Sequence, residues 1–149
     1  MADPVRDKDY YSQLLFTTSS LRTELQALKL SNRIMTFYAI FYDSKGQQAK
    51  LIDFTRKLIE LDERGSSELV KAVDAIVMNM GSMINFLKPV TMKGFEMPRK
   101  DVGKYRKKTR DIKHTGGRLI SEAIRILDAY TKTIRKEAQT KAGMQYSAW

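Results

Sequence analysis

The residues with the strongest chemical signature in this chain are cations. Between Arg99 and Arg118 stand Arg99, Lys100, Lys104, Arg106, Lys107, Lys108, Arg110, Lys113 and Arg118, opposed only by Asp101 and Asp111. These twenty residues carry +7 of the chain's formal +10, and the other 129 are nearly balanced. Concentrated charge makes a local field, whereas scattered lysines only solubilise. The matching ligand is a polyanion, and each cation that meets a phosphate releases a counterion, so binding should weaken steeply with salt. Tyr105 and His114 lie inside the cluster and offer ring faces on which an unpaired base can stack. The nine cations with Tyr105 and His114 form the candidate nucleic-acid site. They follow no zinc-finger spacing, RNP-type aromatic strand or GxxG clamp, so the expected contacts are to backbone and largely independent of sequence.

Catalysis has less to work with. The chain has no Cys and one His, which removes disulfide scaffolds, thiol chemistry, zinc fingers and iron–sulfur clusters. His114 beside Lys113 could serve acid–base cleavage of RNA, but no second base is identifiable. Glu60, Asp62 and Glu63 alternate with Leu58, Ile59 and Leu61 and read as the polar face of an amphipathic helix rather than a metal site. His114-Thr115-Gly116-Gly117-Arg118 hints at a phosphate-cradling turn before a helix, without the Gly-Lys-Ser/Thr ending of a P-loop. We therefore expect no catalytic residue, no metal ligand and no cofactor, and read the chain as a non-enzyme.

The elements that must position the cations are helical. Hydroxyl residues Thr17-Thr18-Ser19-Ser20 suit an N-cap, after which Leu21, Leu25, Leu28, Met35 and Tyr42 recur at helical spacing beside Leu30, Ile34, Phe37 and Phe41. Asp43-Ser44-Lys45-Gly46 should end this first helix. A second helix fits 47–63, with Leu51, Phe54, Leu58 and Leu61 on one side, and Arg64-Gly65-Ser66-Ser67 reads as a stop and a fresh cap. A third, 68–87, carries Leu69, Val73, Ile76, Met80, Ile84 and Leu87, and Pro89 should force its end.

Pro89, Gly94 and Pro98 mark 88–98 as a loop. A short helix is predicted over 101–114, a break or bend at Gly116-Gly117, and a last helix from Arg118 to about 139 with Ile120, Ala123, Leu127 and Ile134 on one face. The expectation is an all-α, single-domain bundle (1–149) of about four main helices, with a basic loop or short-helix insertion at 88–117 and a C-terminal tail at 143–149. Met78, Met80 and Met83 read as gap-filling core, and Met92 and Met97 as possible contacts. Tyr146 and Trp149 lean towards a plug for a neighbouring subunit.

At 149 residues and 42% apolar content the chain is long enough for one ordinary core. The N-terminus lacks the apolar stretch of a signal peptide. The longest near-apolar run, 34–41, is well short of the ~20 residues a membrane helix needs. A cytoplasmic setting is expected, and the basic cluster lacks the apolar face of a membrane-surface helix.

Leu15-Phe16-Thr17-Thr18-Ser19-Ser20-Leu21-Arg22 resembles a stretch near the start of the small helical subunit of type III CRISPR effector complexes. There a Thr-Thr-Ser-x-Leu-Arg run opens a long helix. Size, basic charge and helical character also suit small subunits of type I complexes. The resemblance implies a non-enzymatic subunit that lines a groove in several copies, beside guide RNA and target strand and alongside other subunits. It departs from the family in Glu122-Ala123 and Ala129-Tyr130, which stand further apart than the family's pairs. The alternative reading is a coat protein of a filamentous or rod-shaped archaeal virus, located in the virion and wrapping DNA or RNA. Two further readings are a small nuclease using His114 and a membrane-surface or partner-helix adaptor.

Overall fold

The computed structural model describes residues 7–34, 37–63, 67–87 and 98–144. Four helices account for nearly all of them: α1 (Lys8–Ile34), α2 (Phe37–Leu61), α3 (Ser67–Leu87) and α4 (Arg99–Ala142). There is no strand among the described residues. The fold is the expected all-α bundle of four main helices. The stop at 64–66, the loop at 88–97 with Met92 and Met97, and the plug from Tyr146 and Trp149 lie outside the described residues.

Helix α1 begins well before the expected cap. Asp7 accepts from the Tyr10 backbone N–H through Oδ1 at 3.0 Å, the side-chain capping bond that satisfies an orphan donor of the first turn. Thr17 to Ser20 therefore lie inside the helix and cap nothing. Thr17 and Thr18 donate their hydroxyls to the carbonyls of Gln13 and Leu15, both at 2.8 Å, and Ser20 donates to Phe16 at 2.9 Å. A hydroxyl that bonds its own preceding turn can be buried without an unmet donor, and Thr17 and Thr18 are both buried. The run that resembles the start of a family helix thus lies in the middle of one here.

Helix α2 continues through 43–46, where a stop was expected. Gly46 is exposed and helical, with no atom within 4 Å of where a Cβ would sit. A single glycine costs a helix only about 1 kcal/mol. The buried side chains of α2 (Leu51, Thr55 and Leu58) hold it against the core. Helix α3 buries Leu69, Val73, Ile76 and Met80 on one stripe as read, but Met78, expected as gap-filling core, is 73% exposed because it falls off that stripe. The side chains of Met83, Ile84 and Leu87 lie outside those described.

The largest correction concerns α4. The expected short helix, glycine break and last helix are one continuous helix of 44 residues, about 66 Å long at 1.5 Å per residue. Its buried positions are Thr109, Gly116, Ile120, Ala123, Leu127, Ile134 and Ala138. Gly116 falls on the same seven-residue row as Thr109 and Ala123, so packing of that stripe outweighs the weak helix propensity of the Gly-Gly pair. The helix ends at Gly143, which takes the left-handed conformation (φ 63°), and Met144 N–H bonds back to the Ala138 carbonyl at 3.2 Å.

The helices run alternately up and down. Tyr10 donates its hydroxyl to the Leu61 carbonyl and Glu24 pairs with Lys50, which makes α1 and α2 antiparallel. Arg22 with Asp128, and Tyr11 with Glu137, do the same for α1 and α4. Asn79 to the Ile112 carbonyl, and Phe86 on Tyr105, do so for α3 and α4. Each helix packs on two neighbours around a core that includes Tyr11, Leu14, Leu21, Leu25, Leu58, Ile76, Leu127 and Ile134, the up-down-up-down arrangement of four-helix bundles.

Candidate nucleic-acid interface

The basic segment is the first half of α4 rather than a loop or insertion. Its first buried residue is Thr109, so residues 99–108 form a helical arm whose sides are largely open to solvent. Arg99, Lys100, Lys104, Arg106, Lys107, Lys108, Arg110, His114 and Arg118 are exposed, and Lys113 is half-buried. Among the described residues, none of Arg99, Lys100, Lys104, Arg106, Lys107, Arg110 and Arg118 has an acidic side chain within ion-pair distance.

Helical geometry sorts these cations into rows. Residues seven apart lie nearly in line along a helix. Lys100, Lys107 and His114 form one row on the side opposite the buried stripe. Lys104 and Arg118 lie beside it on a row that continues through Arg125 to Lys132. Arg99, Arg106 and Arg110 occupy the flank that, further along the helix, meets α1. Sequence reasoning ended the site at Arg118, where the dense run of cations ends. A continuous helix extends the same face to Lys132 and Lys136, both exposed. The signal was present in the seven-residue spacing of Arg118, Arg125 and Lys132. Helix α4 holds 14 cations and 5 acids, a net +9 of the chain's +10.

Two expected site residues are partly committed to the fold. The Tyr105 ring stacks on Phe86 of α3, with centroids 4.8 Å apart and planes 29° from parallel. Lys108 Nζ lies 4.8 Å from the centre of the same Phe86 ring, a cation–π contact. Tyr105 therefore serves first as an anchor of the arm and leaves one ring face at most for a base. His114 is exposed and helical. Residues 114–118 lie in mid-helix with their backbone in the helix ladder, so they do not form the phosphate-cradling turn the sequence suggested.

The carboxylate cluster also differs from expectation. Glu60 and Glu63 are exposed, but Asp62 is buried just past the end of α2 and accepts the Tyr130 hydroxyl at 2.8 Å. It is a packing residue between α2 and α4 rather than part of a solvated face. Among the described residues no group of three or more His, Cys, Asp or Glu side chains could hold a metal ion. None of the described helices is long and apolar enough to cross a membrane.

Two ion pairs on α4 are set by geometry. Arg22 donates from Nε to Asp128 Oδ1 at 2.7 Å and from Nη2 to Oδ2 at 3.4 Å, and this hydrogen bonding lifts the guanidinium further above its ordinary value. Arg125 donates to Glu122 from Nε at 3.1 Å, which draws the Glu122 carboxyl below its ordinary value. A long helix whose exposed side is cationic, with no base-reading element, can bind phosphates along its length. Comparison with protein-family models, curated proteins and solved structures gives no match for the chain.

Proposed function

We propose that this protein is a non-enzymatic subunit that binds nucleic-acid backbone along α4 and acts in several copies within a ribonucleoprotein. The observation that carries this reading is the exposed arm at 99–110, whose cations have no acidic partner among the described residues and which α3 holds in place through Phe86 and Tyr105. Lysine supplies a point charge and arginine a planar fork that can grip two phosphate oxygens. Neither reads base edges from such a position, so the binding is sequence-independent. The small subunit of a CRISPR effector complex is the member of this class to which the Leu15–Arg22 run points.

The test is size-exclusion chromatography with light scattering on the purified protein and any nucleic acid that accompanies it. Guide-sized RNA in a defined complex with other proteins supports the small-subunit reading. Long assemblies of this chain alone on heterogeneous nucleic acid favour a coat protein instead. Replacing Lys104, Arg106, Lys107 and Arg110 with Gln should weaken binding to unrelated sequences about equally. It should also lower the slope of log affinity against log salt by roughly 0.9 per lost duplex contact. An unchanged slope removes the arm as the site.

A further inference from the structure

Between α1 and α4, beyond the arm, lies an open groove of about 640 Å³. Ser19 and Arg22 line it from α1, and Asp128, Lys132 and Arg135 from α4. The lining thus holds three cations and one carboxylate. Arg135 makes a further contact, so Lys132 is the cation the groove offers most directly to a ligand. Asp128 is already engaged by Arg22 through two contacts. These use two of the five guanidinium N–H donors and hold the fork in place. Thr18 and Thr131 donate their hydroxyls to the backbone carbonyls of Leu15 and Leu127 and form wall, which leaves Ser19 as the hydroxyl donor.

The groove continues the arm. Asp128 stands eighteen residues, or five whole turns, beyond Arg110, so Arg99, Arg106 and Arg110 share the flank of α4 that carries Asp128 and Arg135. Lys132 lies on the row of Lys104 and Arg118. Two of the arm's three rows of cations therefore lead to this groove.

Resting on the function proposed above, we propose that the groove is a second backbone-phosphate site, filled by the same nucleic-acid strand that lies along the arm. Arg110 and Lys132 are 22 residues apart, or about 33 Å along α4. A duplex that advances ~3.4 Å per base pair covers that distance in roughly ten base pairs. Only a ligand longer than this can meet both sites.

Fluorescence anisotropy with labelled duplexes of about 6 and about 24 base pairs, one shorter and one longer than this span, tests the assignment. The variants are Lys132→Gln, at an exposed position that leaves packing intact, and the double variant with Arg135→Gln, checked by thermal melting because Arg135 is half-buried. For the long duplex, each lost contact should shrink the change in affinity between about 50 and 200 mM salt by roughly three- to fourfold. Binding of the short duplex should fall less than that of the long one, because a short duplex can occupy the arm alone. If Lys132→Gln leaves long-duplex binding unchanged while the arm variant weakens it, the groove assignment falls and the proposed function stands. A wild type that binds neither duplex at low salt overturns both. Stabilisation by inorganic phosphate that Lys132→Gln abolishes, with no length effect, makes the groove a small-anion site and overturns the strand proposal.

Discussion

Phe86 of α3 and Tyr105 of α4 stack with ring centres 4.8 Å apart, and they clamp the most basic stretch of the chain to the bundle. Lys108 rests over the same Phe86 ring. Replacing Phe86 by Leu keeps apolar bulk but removes the stack and the cation–π contact. Each is worth about 0.5–1.5 kcal/mol. The expected outcome is a loss of roughly 1–2 kcal/mol in urea unfolding. Amide exchange should also speed up at 99–110 without a matching change in α1. Because no charge is removed, the salt slope for duplex binding should remain that of the wild type.

Tyr130 and Asp62 join α4 to the end of α2. Asp62 is 4% exposed and accepts the Tyr130 hydroxyl at 2.8 Å. A hydrogen bond to a charged group is worth about 1.5–3 kcal/mol net. Tyr130→Phe keeps the ring and removes only the donor, so it should lower unfolding stability by an amount in that range. Nucleic-acid binding at low salt should be unaltered. A cost near zero would mean that the other contacts of Asp62 suffice to hold it.

Much of the bundle was legible because apolar spacing reports burial directly. Leu69, Val73, Ile76 and Met80 in α3, and Ile120, Ala123, Leu127 and Ile134 in α4, are all core residues as their spacing implied. What was not legible were the helix ends and the glycines. Thr17 and Ser20 have the chemistry of caps, and only the structure shows their hydroxyls turned back to the preceding turn. Asp7, seven residues before the first clear apolar pair, gave no periodic signal. Gly116-Gly117 has the propensity of a break, and only the packing around its row keeps the helix whole. The cations themselves could be read as a cluster from charge alone. The spacing of Arg118, Arg125 and Lys132 was legible within the expected last helix, but joining it in one row to Lys104 required knowing that α4 is unbroken. The partner of Tyr105 lies nineteen residues away at Phe86, a distance no local pattern encodes.

Glu122 gives a pH dependence whose sign follows from its partner. The Arg125 hydrogen bond holds its carboxyl below the ordinary value of 4.5 in the folded chain. A carboxyl with a depressed folded value contributes stability above its unfolded pKa, and that contribution is lost as pH falls through the folded one. Arg125 stays charged throughout. Glu122→Gln should therefore be slightly less stable than the wild type at neutral pH and equal to it in strong acid. Urea midpoints at the two pH values check this, and the gap should shrink in high salt because the pair is exposed.

Gly103 tests whether the arm is a preformed helix. It lies on the solvent side of α4, and no atom comes within 4 Å of where its Cβ would be. Its φ is not in the left-handed region, so alanine fits without strain. Ala in a helix interior is favoured over Gly by about 0.8–1.0 kcal/mol. For a chain of this length that corresponds to a rise of roughly 2–4 °C in the melting midpoint. Gly103→Ala should give that rise, or slow amide exchange across 99–108 where the arm melts ahead of the core. A strand that binds the arm as a helix should bind the variant at least as tightly, because less ordering is left to do. If duplex affinity instead falls while the fold is stabilised, the arm must leave its helical form to bind, and the straight phosphate track along α4 is not the bound geometry.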